Sequence, residues 1–325
     1  STAETVGVLE SLSDQGLIEP LSRSSEDPYH RFYHSKFREV LMEELHPSRR
    51  RLLHEAIAKA LQEKHGCHDS DQAAVLARHY ENGGEPVLAF HCWIQAAQRA
   101  RQLFSPKDAI AHFRRAESLI KHASELEDRQ IFVLFAHWCE LAFELEDISA
   151  LEYLSQALLD LGQDRNSALL TGAGLNVRSD IWMIRNRFHE ALETVQQALP
   201  YMEASGFLYE QIETYIRLGT YRYMINQVDG AIEAFEDALA LSTEADDELI
   251  TRARGNAHYH YAVASILKAR PESGLRHALR SLEDFRVVGN LHGQVTAYSA
   301  MSLAYYYLGE FEESLQAAHT GLELA

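Results

Sequence analysis

The chain has 325 residues, of which 46% are hydrophobic and 24% are charged, with only 17 glycines and 7 prolines. This composition is typical of a folded, helix-rich protein and excludes a disordered or collagen-like chain. The 30 basic and 48 acidic residues leave a formal net charge of −18. Direct binding to nucleic acid or to an anionic membrane is therefore disfavoured, because a negative field repels phosphate groups.

The three cysteines are far apart in the chain and odd in number: Cys67, Cys92 and Cys139. This pattern predicts buried thiols in a reducing compartment rather than a disulfide framework, so we expect a cytoplasmic protein. No window of about 18 apolar residues is free of charge, so we expect neither a membrane span nor a signal peptide. The chain begins with Ser1 and not with Met, and we expect it to be part of a longer protein.

The first elements predicted along the chain are a helix and two strands. Apolar residues at helical spacing predict a helix over Glu4–Gln15, which ends at Gly16. Alternating apolar and aromatic residues predict strands at Leu17–Leu21 and Tyr29–His34, joined by the polar turn Ser22–Pro28. Two strands joined by a turn in this way are called a wing. A helix followed by a wing is typical of the end of a winged-helix domain.

Amphipathic patterns predict two further helices, over Ser35–Leu45 and from Pro47 to Lys64. The sequence therefore predicts three regions. Residues 1–46 would be a winged-helix remnant with a two-stranded wing, 47–70 a helical linker, and 71–325 a repeat array.

An internal repeat is the most informative feature of that last region. A small residue is followed by a large apolar residue four positions later and by another small residue three positions after that. Small residues let two helices approach closely while the large one fills the space between them, so each unit must stack on its neighbours. Five copies and two weaker ones follow this pattern, most of them about 40 residues apart: Ala89, Trp93, Ala96; Ala109, Phe113, Ala116; Ala150, Leu154, Ala157; Ala191, Val195, Ala198; Ala231, Phe235, Ala238; Gly274, Ala278, Ser281; Ser314, Ala318, Gly321.

The run Tyr298–Leu322 resembles a tetratricopeptide repeat, as does Tyr215–Leu241. From about Ser70 to the end, the chain resembles an array of such repeats with longer loops than the consensus. The resemblance implies an all-α superhelix of helical hairpins. The expected fold is therefore a tetratricopeptide-like superhelix preceded by a small winged-helix remnant.

The segments Phe32–Leu41 and Pro47–His54, placed after the wing, resemble the junction between winged helix and repeats in bacterial signal-transduction ATPases with numerous domains. Members of that class carry a nucleotide-binding module before this junction, and the repeats of some relatives bind an inducer. This chain has no Gly-x-x-x-x-Gly-Lys-Ser/Thr phosphate loop. We therefore expect no cofactor in this chain, and any ATP or ADP would be held by a missing nucleotide-binding domain.

His34 follows Phe32 and Tyr33 at the end of the wing. The same resemblance implies that His34 contacts the phosphates of the nucleotide bound by the missing domain and so senses the nucleotide state. The alternative is that His34 only caps the following helix.

Catalytic and metal-binding motifs are absent from the sequence. The cluster His65, Cys67, His68 and Asp69 has ligand-like spacing, but no second pair supports it and a polar interhelix loop explains it equally well. No Gly-x-Ser-x-Gly or His-Glu-x-x-His motif occurs. We therefore predict no metal, no catalytic residue and no enzymatic activity in this chain, with an enzyme acting through its histidines as a remote alternative.

Stacked helix pairs curve, and the first helix of each pair lines the concave side. Tyrosine is abundant in these helices and suits recognition, because it combines a large contact area with a polar tip. The alternative is that many of these tyrosines pack between helices. Six polar or aromatic positions are predicted to face the groove: Asn176, Asp180, Tyr223, Asn256, Tyr259 and Tyr306.

These observations predict the sensor and protein-interaction arm of a multidomain bacterial signalling ATPase. A protein, a peptide or a small-molecule inducer in the groove would shift the population of conformations. The sequence is also compatible with an oligomer. The alternatives are a scaffold that assembles proteins without sensing, and an intracellular peptide receptor, which would not explain the wing.

Overall fold

The computed structural model describes residues 2–20, 30–65, 72–243 and 247–325. Within these ranges the protein is all-α except for one two-stranded sheet. The sheet consists of β1 (Ile18–Pro20) and β2 (His30–Phe32). The helices are α1 (Thr2–Asp14), α2 (Ser35–Glu44), α3 (Pro47–His65), α4 (Ala73–Gly83), α5 (Pro86–Gln102), α6 (Pro106–Leu119), α7 (Asp128–Glu144), α8 (Ile148–Arg165), α9 (Ala168–Ile184), α10 (Phe188–Ser205), α11 (Leu208–Met224), α12 (Val228–Leu241), α13 (Glu248–Leu267), α14 (Pro271–Val287), α15 (Leu291–Leu308) and α16 (Phe311–Leu324).

The chain divides into two compact units, Ser1–Leu126 and Glu127–Ala325. The first contains the sheet and helices α1 to α6, and the second contains α7 to α16. None of the helices in the described ranges is long and apolar enough to cross a membrane.

In the first unit, the predicted order of helix, two strands and helix is confirmed. Strands β1 and β2 are antiparallel, with Ile18 opposite Phe32, and Arg31 pairs with Glu19 across the sheet. The predicted turn Ser22–Pro28 lies outside the described residues. The arrangement fits the predicted wing, and the assignment to a winged-helix domain stays a prediction.

Helices α3 to α6 follow the sheet, and each packs against the next. The repeat pattern in α6 is fully buried, with Ala109, Phe113 and Ala116 each at 0% exposure. Burial of a large ring between two alanines is the arrangement that the small-large-small spacing predicts.

The second unit consists of five helical hairpins, α7/α8, α9/α10, α11/α12, α13/α14 and α15/α16. Four of these hairpins are closed by three-residue turns whose middle residue is left-handed, with φ between 53° and 66° at Glu146, Asn186, Asn226 and Ala269. At one turn, Asn186 N–H donates to Met183 O at 2.9 Å and Arg187 N–H donates to Trp182 O at 2.8 Å. These bonds satisfy the last carbonyls of the helix, so the turn ends α9 and reverses the chain.

The second helices α10 and α12 bury the predicted pattern fully, and α14 buries it as well. In α8 the pattern is shifted, because Leu154 is buried while Ala150 and Ala157 are half-buried. In α12 the large residue at the centre, Phe235, packs on a glycine of the neighbouring first helix. A Cβ atom on Gly219 would lie 2.4 Å from the Phe235 ring, so the close approach of α11 and α12 requires glycine there.

The first helices, α7, α9, α11, α13 and α15, form a continuous layer in which each contacts the next. Each first helix also packs against its own second helix and, from α9 onward, against the second helix of the preceding hairpin. This layer carries the polar side chains described next.

Candidate functional site

A cavity of about 570 Å³ lies in the second unit and is lined by side chains of the first helices α7, α9, α11 and α13. One side is aromatic and includes Phe132, Phe135 and Phe207. Phe132 meets Phe207 edge to face, with ring centroids 5.4 Å apart. These rings supply apolar contact area for a bound group.

Two cationic side chains hold the aromatic side in place. The guanidinium of Arg129 lies over the Phe207 ring, 4.6 Å from its centroid. Arg252 Nη2 donates a hydrogen bond to the Tyr209 hydroxyl at 3.1 Å. The Tyr209 hydroxyl is thereby fixed at the cavity edge.

The cavity also has polar lining residues, which belong to two pairs of hydrogen-bonded side chains, here called rungs, between α9 and α11. In the first rung, Asn176 Nδ2 donates to Thr214 Oγ1 at 2.8 Å. In the second, Arg217 Nε donates to Asp180 Oδ1 and Oδ2 at 3.1 and 3.2 Å. The Tyr221 hydroxyl donates to Asp180 Oδ1 at 2.6 Å. Asp180 therefore accepts charge-assisted hydrogen bonds from two residues of the neighbouring first helix.

Two atoms of these rungs are buried without a hydrogen-bond partner. In the part of the chain that the structure describes, they are the Oδ1 atom of Asn176 and the Nη1 atom of Arg217. Asn176 is 2% exposed, and Arg217 Nη1 lies 3.9 Å from Glu213 Oε2, too far for a hydrogen bond. Buried polar groups in proteins are rarely left unpaired, so a free acceptor and a free donor on two lining residues single out this cavity as the candidate site.

Glu210 adds a perturbed carboxyl group to the same cavity. Burial raises its pKa to about 7, while the nearby Arg217 guanidinium acts in the opposite direction. Burial also raises the pKa of the Cys139 thiol, so this cysteine is not a reactive thiolate. The arrangement therefore suits recognition through charge and hydrogen bonds and shows no activated nucleophile.

Of the six predicted groove residues, Asn176 and Asp180 line this cavity. Asn256 lies near them, because its Nδ2 atom donates to Glu213 Oε1 at 3.4 Å. The structure thus brings three of the predicted side chains into one network between α9, α11 and α13.

The three predicted tyrosines lie elsewhere. Tyr223 packs against Phe235 and His260, with ring centroids 6.5 and 6.3 Å away. Tyr259 packs against the hydrophobic cluster formed by its own hairpin and the next one. Tyr306 is 57% exposed on α15. The packing alternative raised for the tyrosines therefore describes Tyr223 and Tyr259.

His34 is the N-cap of α2, and its Nδ1 atom accepts a hydrogen bond from the Lys36 amide at 3.3 Å. This is the capping arrangement, and the predicted contact with a nucleotide stays a prediction. Of the suggested metal cluster, Cys67, His68 and Asp69 lie outside the described residues. Within the described ranges, no group of three or more His, Cys, Asp or Glu residues is placed to hold a metal ion.

Sequence reasoning missed Glu210, Thr214, Arg217 and Tyr221. A signal for them existed, because the partners in each rung are separated by about one repeat: 38 residues for Asn176 and Thr214, and 37 for Asp180 and Arg217. Polar residues that recur at the repeat interval on first helices face each other across the layer.

No family model matches the chain, and no curated protein matches its sequence. Several solved structures are similar in fold. The apo form of RapI is 11% identical, with a TM-score of 0.50, over 72% of this chain and 97% of that one. BtubC (BKLC) from P. vanneervenii is 15% identical, with a TM-score of 0.49, over 72% and 89%.

A Rap protein complexed with Competence and Sporulation Factor is 11% identical, with a TM-score of 0.47, over 86% of this chain and 98% of that one. At these identities the likeness concerns the fold alone. The fold is an all-α array of tetratricopeptide-like helical hairpins.

Proposed function

We propose that residues 127–325 form a regulatory binding module whose ligand, a protein, a peptide or a small-molecule inducer, occupies the cavity between α7, α9, α11 and α13. The observation that carries this proposal is the pair of buried, unpartnered atoms Asn176 Oδ1 and Arg217 Nη1 beside an aromatic wall. An unpartnered buried polar group costs about 1–3 kcal/mol. A ligand that pairs with both atoms removes that cost, which gives binding a driving force beyond apolar contact.

The wider role that we propose is that of the sensor arm of a bacterial signalling ATPase in the cytoplasm, which takes part in transcription regulation. The resemblance of Phe32–Leu41 and Pro47–His54 to the junction in that class supports it, together with the order of α1, the sheet and α2. Ligand binding would favour one conformation of the arm, and ATP or ADP would be bound by another part of the protein. His34 would report the nucleotide state to the same junction.

The test of the cavity is native mass spectrometry of the protein purified gently from its own cytosol, for the wild type and Asn176→Leu. We expect a retained mass on the wild type and its loss in Asn176→Leu, because leucine keeps the branched shape of asparagine and removes its free acceptor together with its bond to Thr214. Gln196→Leu is the matched control, since Gln196 is an exposed amide on α10. A mass retained equally by Asn176→Leu, or a wild type that carries none, would contradict the proposal.

A scaffold that binds a protein partner without sensing is the second candidate. Its support is an exposed aromatic group on the last hairpin, where Tyr306, Tyr307 and Phe311 are 57%, 61% and 63% exposed. Exposed apolar clusters of this kind are typical of protein-binding surfaces. A co-purifying protein that Phe311→Ser releases and Asn176→Leu retains would favour this role.

A further inference from the structure

The charges around the cavity are unbalanced. Arg217 and Arg252 are the guanidinium groups that line it, and both have partners inside the network, Asp180 and the Tyr209 hydroxyl. The carboxyl groups of Asp180, Glu140 and Glu210 line the same cavity, with His137 beside Glu140 at 3.6 Å. Glu213 adds a fourth carboxyl group at the Arg217 side chain. Carboxyl groups therefore outnumber guanidiniums, and burial keeps one of them, Glu210, partly protonated at pH 7. A cationic group placed beside Glu210 would favour its ionised form and balance its charge.

The two free atoms set the spacing of the ligand's polar groups. Asn176 and Asp180 are four residues apart on α9, so the two rungs lie about one helical turn, or about 5.4 Å, from each other. Asn176 Oδ1 needs a donor and Arg217 Nη1 needs an acceptor. A ligand that satisfies both carries a donor and an oxygen acceptor a few bonds apart.

The aromatic wall requires an apolar part on the same ligand. Phe132, Phe135 and Phe207 line the cavity together with Asn176, Asp180 and Arg217. At about 570 Å³, the cavity has the size of pockets that enclose small ligands and admits more than a single amino acid.

We propose that the cavity binds the free amino-terminal residue of a peptide whose first side chain is apolar. This inference rests on the proposed function and names the ligand class of that site. The terminal ammonium donates to Asn176 Oδ1 and offsets the carboxylate of Glu210, the first carbonyl oxygen accepts from Arg217 Nη1, and the first side chain packs on the aromatic wall. The rest of the peptide leaves through the open side of the cavity.

Other ligand classes leave part of the site unsatisfied. A phosphate or a free carboxylate meets an excess of carboxylates, and an acetylated amino terminus brings no positive charge to them. A plain alkyl amine supplies the charge but leaves Arg217 Nη1 without an acceptor.

The experiment is calorimetric titration of the full chain at pH 7 with four probes, phenylalanyl-leucine amide and leucyl-leucine amide, each with a free and with an acetylated amino terminus. We expect the free forms to bind at least about tenfold more tightly than the acetylated forms, a difference of about 1.4 kcal/mol. Glu210→Gln, which keeps the shape and removes the charge, should reduce that ratio toward one. Glu193→Gln, an exposed carboxyl group on α10, should leave the ratio unchanged.

The outcomes separate this inference from the proposed function. Equal binding of free and acetylated probes overturns the requirement for an amino terminus and leaves the cavity as the binding site. Tight binding of the free probes that neither Glu210→Gln nor Asn176→Leu weakens overturns the inference by placing the site elsewhere. Absence of binding by all four probes also overturns the inference, while the retained mass on the purified protein decides the proposed function independently.

Discussion

Glu210 lies where a charged carboxylate is costly, since it is buried beside Asp180 and Glu213, and Arg217 and a hydrogen bond with Asn176 offset the charge only in part. Its pKa is raised to about 7 in the folded protein from an ordinary value of 4.5. Below pH 4.5 Glu210 is protonated in both the folded and the unfolded protein, so its burial carries no charge penalty there. Because its pKa is raised in the folded protein, this stability is lost as the pH rises through about 7.

The prediction is that Glu210→Gln raises the melting temperature at pH 8 and changes it little at pH 5. The gain at pH 8 is at most about 3 kcal/mol, because glutamine does not ionise. Circular dichroism melts at the two pH values measure it, with Glu193→Gln as the exposed control. Equal effects of Glu210→Gln at pH 5 and pH 8 would show that Glu210 is not held protonated by burial.

A second pH effect has the opposite sign. His258 on α13 and His277 on α14 lie with their Nδ1 atoms 2.9 Å apart, and the His277 ring stacks on Tyr261. Burial lowers the pKa of His258 to about 3 and that of His277 to about 4, with smaller contributions from Arg280 and other neighbouring charges. A depressed pKa means that stability is present above the ordinary value of 6.5 and is lost as the pH falls toward 4.

We therefore predict that the melting temperature of the wild type falls between pH 7 and pH 5, and that His277→Gln makes this fall smaller. The change is about 1 kcal/mol per histidine at pH 5, since partial exposure screens the charge. Thermal melts across this range measure the slope. His292→Gln, an exposed histidine at the start of α15, is the control, and a slope unaltered by His277→Gln would contradict the prediction.

At the scale of the elements, the close packing of α11 against α12 depends on a glycine, which has no side chain. A Cβ atom on Gly219 would lie 2.4 Å from Phe235 Cε1, and Phe235 is fully buried between Ala231 and Ala238. Neither the ring nor the helices can move without disturbing a packed core.

Gly219→Ala should therefore destabilise the protein by about 1–3 kcal/mol, although alanine is the better helix former. Gly230→Ala is the matched control, because a Cβ atom there meets only the flexible Arg222 side chain at 3.3 Å, so its effect should be neutral or stabilising. Urea denaturation measures both. A Gly219→Ala protein as stable as the wild type would mean that the two helices are not in this close contact.

Elements also differ in how well the sequence predicts them. The second helices α10, α12 and α14 pack one face on the first helices, so their small-large-small spacing appears directly in the sequence. The first helix α9 contacts helices on several sides and buries residues around most of its circumference, from Leu169 to Ile181. A helix buried on all sides has no single apolar stripe, so its sequence does not reveal which side chains face the cavity.

At the scale of the whole molecule, the division after Leu126 predicts that residues 127–325 fold without the first unit. Stacked hairpins gain their stability from nearest neighbours, so the loss of other parts of the chain leaves the remaining interfaces intact. Circular dichroism of residues 127–325 alone should show a helical spectrum and a cooperative melt. A spectrum without helix, or a melt without a transition, would show that the second unit depends on the first.

The sequence alone determined the all-α hairpin repeat, its interval of about 40 residues and the placement of Asn176 and Asp180 on the inner side of a first helix, where they line the cavity, because close packing of helices imposes a periodic pattern of residue size. It did not determine the pairing of Asp180 with Arg217, the raised pKa of Glu210 or the packing of Tyr223 on Phe235. These features depend on which side chains meet across the layer of first helices. Burial and electrostatic partners arise only when distant residues come together, so the tertiary structure decides them.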